Sequence, residues 1–215
     1  MDPAMMVLRL RAPAEELDYG FVMNCLEKYR FPRSKLTQLL KSKAVIRVKK
    51  GLYVFGPAFN RHPYSLETLA NITYGPSYVS LEWALQTYGM IPERVEEITS
   101  VTFKRSHIFE TPIGRFSYTH RPILAYPVGI IRRQASEYQS YLIATPEKAL
   151  IDLLITRRGQ VTKISELEEI LFEDFRIEED DLRRLSLEKM QRINQAFPHS
   201  TITNLISMLS RSNKL

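Results

Sequence analysis

The stretch SKLTQLLKSKAVIRVKKGLYVF, Ser34 to Phe55, changes its hydrophobic period partway along. In its first half Leu36, Leu39 and Leu40 recur at helical spacing, with Lys35, Thr37, Gln38 and Lys41 left for the opposite side. After Lys43 the pattern becomes strand-like: Val45-Ile46-Arg47-Val48 leads into a Lys49-Lys50-Gly51 turn, and Leu52-Tyr53-Val54-Phe55 returns before Gly56-Pro57. Ser34, two residues after Pro32, is placed to cap the helix. Upstream, Leu17, Phe21, Val22, Cys25, Leu26 and Tyr29 predict a helix over 17–29. Helix, helix and basic hairpin in that order predict a winged helix-turn-helix, whose exposed helix face enters the major groove while the hairpin tip meets phosphate. The interval before Pro32 is too short for a full middle helix, so a trimmed variant is expected.

Charge singles out the same segment. The chain has 215 residues and a net charge of +6, yet no acid occurs between Glu27 and Glu67. Ten of its thirty basic residues (Lys28, Arg30, Arg33, Lys35, Lys41, Lys43, Arg47, Lys49, Lys50 and Arg61) fall in that gap, leaving the rest of the chain net negative. Near the other end, Glu166 to Asp181 holds nine acids against Arg176 alone. Such polarity predicts a polyanion-binding part and a second part with another task.

With 44% hydrophobic and 25% charged residues the composition is that of a soluble globular protein. No apolar run approaches the length of a membrane span, and Met5 to Leu8 is too short for a secretory signal, so a cytoplasmic protein with no membrane association is expected. One cysteine, Cys25, permits no internal disulfide or thiolate-rich zinc site. The histidines His62, His107, His120 and His199 lie apart without metal-ligand spacing, and no phosphate-cradling glycine motif occurs, so no metal or cofactor is expected. Glu147-Lys148 with Asp152 evokes an acid and base cluster, but an acid in a first helical turn needs no catalysis to explain it, and Asp152 lies five residues beyond Glu147. Ser80 reads as a helix cap, since no nucleophile elbow surrounds it. The expectation is that the chain is not an enzyme.

Beyond the hairpin, Ala58 to Tyr64 reads as a linker between prolines. Helices are expected over 66–72, after Ser80 to Tyr88, from Thr145-Pro146-Glu147 through Leu154, after a Ser165/Glu168 capping box, over 182–197 and over 201–209. Strands are expected over 98–104, 108–110, 115–120, 128–133 and 141–144. Asp2-Pro3-Ala4, ahead of the Met5-Met6 pair, enters no predicted element.

Five phrases carry a likeness: Tyr78-Val79-Ser80-Leu81-Glu82-Trp83-Ala84-Leu85, Gly89-Met90-Ile91-Pro92-Glu93, Val101-Thr102-Phe103-Lys104-Arg105, the run Phe109 to Tyr118 (FETPIGRFSY), and the run Ala144 to Leu154 (ATPEKALIDLL). Together with Gly51-Leu52-Tyr53 they resemble the AbiEi family of antitoxin-like transcriptional regulators of type IV toxin-antitoxin systems, over roughly residues 17–154. The resemblance implies an N-terminal winged helix that binds inverted repeats in its own promoter. It also implies a C-terminal region that counteracts a nucleotidyltransferase toxin in phage defence without forming a stable toxin complex.

The expected fold is α+β, with a winged helix-turn-helix over 1–60 and a mixed sheet-and-helix domain over 61–215 ending in helices. The expected function is a DNA-binding antitoxin and autorepressor; the alternative is a stand-alone regulator whose second domain dimerises or senses a ligand. An inverted repeat takes two copies on double-stranded DNA. Ser34, Lys35, Thr37, Gln38 and Lys41 are expected in the groove, with Gln38 reading adenine through its amide. Arg33, Lys41 and Lys43 are expected on phosphates, and Arg47, Lys49 and Lys50 supply the wing's charge. Tyr53 either donates its hydroxyl to a phosphate or packs into the core. Four to six neutralised phosphates would give a salt slope of about −4 to −5.

Overall fold

The computed structural model describes residues 2–137 and 139–212; Met1, Tyr138 and residues 213–215, and with them the extreme ends of the two expected domains, lie outside the described residues. Helix α1 (Pro3–Arg11) has proline at its start and is capped by Asp2, whose carboxylate accepts from the Ala4 amide at 2.9 Å. Ala4, Met5 and Leu8 are completely buried, so residues 2–4, which no prediction used, start the first helix of the core.

The helix predicted over 17–29 is shorter. Leu17 belongs to a strand, β1 (Glu16–Asp18), and Asp18 then caps α2 (Tyr19–Cys25) by accepting from the Phe21 amide at 2.9 Å. Leu17 fits the helical period but is buried by pairing with Tyr53 in a sheet. Helix α3 (Pro32–Lys41) starts at its proline with Phe31 in the capping position, so Ser34 lies inside the helix and caps nothing. The fixed backbone angle of proline starts the helix two residues before the serine.

Strands β2 (Val45–Lys49) and β3 (Leu52–Phe55) form the expected hairpin, and β1 adds to β3 to give an antiparallel sheet of order β1-β3-β2. Alternation along β3 serves two interiors. Tyr53 and Phe55 pack with Leu17, Leu36 and Leu39 of the helical side. Leu52 and Val54, with Val48, pack into the larger cluster containing Leu69, Tyr78 and Phe116. The expected division at residue 60 falls in the coil after β3, and the packing crosses it.

The rest of the chain is built on a six-stranded mixed sheet. Helix α4 (Leu66–Thr73), capped by Ser65, precedes β4 (Ser77–Val79) and α5 (Leu81–Thr87). Then follow β5 (Ile98–Thr102), β6 (His107–Thr111), β7 (Gly114–His120), β8 (Ile130–Ser136) and β9 (Gln139–Ala144). The order is β6-β7-β5-β4-β9-β8, with β5/β7 and β4/β9 parallel and the other neighbours antiparallel. Helices α6 (Pro146–Arg158), α7 (Ile164–Glu169) with a π-type turn at Ile170–Asp174, α8 (Glu179–Arg183), α9 (Leu187–Ala196) and α10 (Ser200–Ser212) complete a mixed α+β chain.

Three capping expectations resolve differently. Thr145 caps α6, as its sequence requires, by accepting from the Lys148 amide. The Ser165/Glu168 box does not form, because α7 starts at Ile164 with Lys163 in the capping position. Ser80 stands at the cap of α5 without bonding to it; Thr99 on β5 accepts from the Trp83 amide at 3.0 Å and donates to the Ser80 carbonyl at 2.7 Å. The pattern over 182–197 is split between α8 and α9, where Ser186 caps the second helix.

Candidate nucleic-acid interface

Helix α3 buries Leu36 and Leu39, and that choice of inner side fixes the outer one. Arg33, Ser34, Thr37, Gln38 and Lys41 are exposed at successive i, i+3 and i+4 steps and form one stripe. Thr37 turns its hydroxyl back to the Arg33 carbonyl at 3.0 Å, and Arg33 Nε donates to the Tyr19 hydroxyl at 3.1 Å. The side chains of Gln38, Lys41 and Lys43 make no hydrogen bond or ion pair among the described residues. Lys43 follows the helix in a left-handed conformation, φ 56°, against Gly56, where a Cβ would lie 1.9 Å from the Lys43 carbonyl oxygen.

Lys35, expected beside these residues, is placed differently. It leaves the stripe, bonds Asp2 at 2.7 Å and lies 5.4 Å from the Tyr29 ring centroid, so its charge is engaged within the fold. The cause is its position between the exposed stripe and the buried leucines, facing α1, a helix that the sequence reading omitted. The same bond holds the Asp2 carboxyl below the ordinary aspartate value.

The hairpin splits its four expected contacts. Arg47 and Lys50 are exposed and their side chains are unengaged among the described residues. Lys49 instead donates to the Thr73 carbonyl at the end of α4, and burial, then the nearby charge of Lys104, pushes its ammonium below the ordinary lysine value. Tyr53 is 6% exposed and its ring packs in the helical-side cluster, the position that the core reading expects. Lys49 and Tyr53 are thus drawn inward, because Val48, Leu52 and Val54 pack into the larger cluster and Tyr53 and Phe55 into the helical-side one.

The acid and base group considered on α6 is a buried network. Lys148 Nζ donates to Asp152 Oδ1 at 2.7 Å, while the Tyr78 hydroxyl and Ser80 Oγ each donate to Oδ2 at 2.9 Å. Burial, then the Asp152 charge, raises the Tyr78 phenol well above its usual range. Arg121 donates to the Asp152 carbonyl at 2.9 Å, and the adjoining void is about 10 Å³, too small for a substrate. Glu147 takes other partners, accepting from the Ser186 amide at 3.1 Å and from Lys189 at 3.3 Å. The pairing was available in the sequence as the four-residue spacing of Lys148 and Asp152, masked by comparison of Asp152 with Glu147. Among the described residues no group of three or more His, Cys, Asp or Glu could hold a metal ion, and no helix is long and apolar enough to cross a membrane.

In the acidic region the charges are partly neutralised at close range. Arg183 pairs with Glu179, Arg184 with Asp181, Arg158 with Asp174, and Arg176 reaches Glu93. No protein-family model matches the chain, and no curated protein matches it significantly.

Proposed function

We propose that the chain is a sequence-specific DNA-binding regulator in which α3 is the recognition helix and β2–β3 the wing of a winged helix-turn-helix. One observation carries this reading: Arg33, Ser34, Gln38, Lys41, Lys43, Arg47 and Lys50 are all exposed on one helix, the turn after it and the hairpin that follows, in a segment without a single acid. Gln38 is the base reader, and Arg33, Lys41, Lys43, Arg47 and Lys50 neutralise phosphates. Two copies occupy an inverted repeat in the gene's own promoter.

The part from residue 61 onward is proposed to be an AbiEi-like antitoxin domain that counteracts a nucleotidyltransferase toxin in the cytoplasm, without catalysis of its own. Its support is the resemblance of the phrases quoted above, two of which, Tyr78 to Leu85 and Ala144 to Leu154, supply the buried Tyr78, Ser80, Lys148 and Asp152 network. That role for those residues is architectural.

The test uses the full chain and its R47E/K50E variant, each assayed for binding to DNA upstream of its own gene and for growth rescue when co-expressed with the adjacent reading frame. The expected result is loss of DNA binding with rescue retained. A harmless neighbour, or one that nothing rescues, removes the antitoxin half and leaves a stand-alone repressor. Failure of the wild-type chain to retard that DNA at low salt removes the regulatory half.

A further inference from the structure

A cleft of about 640 Å³ lies between the coil segments that flank the β1–β3 sheet and the β8–β9 hairpin of the larger sheet. That is within the size range of small-molecule sites, about 300–1,000 Å³. Its charges are unevenly committed. Both acids lining it are engaged: Glu15 pairs with Arg9 at 2.7 Å and accepts from the Arg61 amide at 3.2 Å, and Glu67 accepts from Trp83 Nε1 and from Ser65 Oγ, each at 3.2 Å. The guanidinium groups of Arg61, in the coil after β3, and Arg133, on β8, make no ion pair or hydrogen bond among the described residues. Both are exposed, and the Arg133 guanidinium carbon lies over the Tyr88 ring, 5.9 Å from its centroid. Pro13, Pro63 and Tyr64 add apolar wall beside them.

We infer that this cleft binds a nucleotide-sized organic anion, its phosphate held by Arg61 and Arg133 and its ring against Pro13, Pro63 and Tyr64. The planar guanidinium fork matches phosphate oxygens in pairs, and Arg61 and Arg133 bring two forks without a carboxylate partner to one cleft. The cleft joins the sheet that carries the hairpin to the sheet of the larger part, so an occupant would tie the two together.

The experiment is calorimetric titration of the full chain with ATP in the presence of EDTA, repeated with R61A, R133A and R47E/K50E. One-to-one binding is expected, weakened about tenfold or more by R61A and by R133A and unchanged by R47E/K50E. Absence of heat at millimolar ATP overturns the site. So does binding that R61A and R133A leave intact, or binding that R47E/K50E abolishes, since ATP would then be occupying the basic helix and hairpin. The readout is ligand binding itself, so it stands or falls separately from the DNA and antitoxin readings.

Discussion

Lys148 Nζ lies 2.7 Å from Asp152 Oδ1 one turn further along α6, and each side chain is only 2% exposed. A buried pair of this kind contributes little net stability as a pair, because both ions have left water, but removing one partner strands the other. Asp152→Ala should therefore cost about 3–5 kcal/mol in urea unfolding, and it also strips the Tyr78 and Ser80 hydroxyls of their acceptor. Adding Lys148→Met to that background should recover part of the loss. An unfolding midpoint unmoved by Asp152→Ala would show that the network does not hold the sheet to α6.

Asp2 and Lys35 connect α1 to the candidate recognition helix. The Lys35 hydrogen bond is the main cause that holds Asp2 below the ordinary aspartate value of 3.8. A folded-state value below the unfolded one means that the stabilisation is present above the ordinary value and is lost as pH falls through it toward the folded value. Asp2→Asn keeps a capping side chain and removes the charge. The wild-type advantage in thermal midpoint over Asp2→Asn should be present at neutral pH and disappear in acid; an equal advantage at both would show that it does not come from the ionised Asp2 carboxylate beside Lys35.

The helix-to-hairpin order was legible because the hydrophobic period changes from helical to alternating within 22 residues, and each half leaves an exposed side. The strands after residue 98 were legible for the same reason. What the sequence withheld came from partners distant along the chain. Helix α1 has a weak pattern of its own and is held by three buried residues, Ala4, Met5 and Leu8. Leu17 fits a helix yet pairs with Tyr53, and Thr99 caps a helix that Ser80 immediately precedes. In the candidate interface, type and charge picked out Lys35, Lys49 and Tyr53 alongside the exposed residues, because local sequence shows neither the cap of α1 that takes Lys35, nor the end of α4 that takes Lys49, nor the cluster that holds the Tyr53 ring.

Withdrawing Lys35 and Lys49 from the interface leaves five cations, Arg33, Lys41, Lys43, Arg47 and Lys50, for phosphate contact. Their neutralisation gives a slope of about −4 to −5 in log affinity against log salt. Arg47→Ala and Lys50→Ala should each reduce it by about one, whereas Lys49→Met should leave it unchanged. Gln38→Ala should leave the slope alone and cost about 1–3 kcal/mol of discrimination at one base pair. Titrations by fluorescence anisotropy over a range of salt separate these; a Lys49→Met slope that falls like that of Lys50→Ala would return Lys49 to the DNA.

Gly56 sets the distance between the end of β3 and the turn that follows α3. A Cβ there would stand 1.9 Å from the Lys43 carbonyl oxygen and 3.2 Å from that of Ala44, and both obstacles are backbone. No rotamer change relieves them, so the strand end and the turn must separate, breaking the 2.8 Å bond from the Gly56 amide to the Ala44 carbonyl. Gly51, in the hairpin turn, is a control: its φ of 89° disfavours a side chain, but nothing lies within 4 Å of the added atom. Gly51→Ala should cost about 1–2 kcal/mol from backbone conformation alone. Gly56→Ala should cost more than that in urea unfolding, and its DNA affinity should remain reduced where the variant is fully folded, because α3 is displaced relative to the hairpin. Equal costs for the two variants, with unaltered DNA affinity, would mean that the turn absorbs the methyl group without moving the helix.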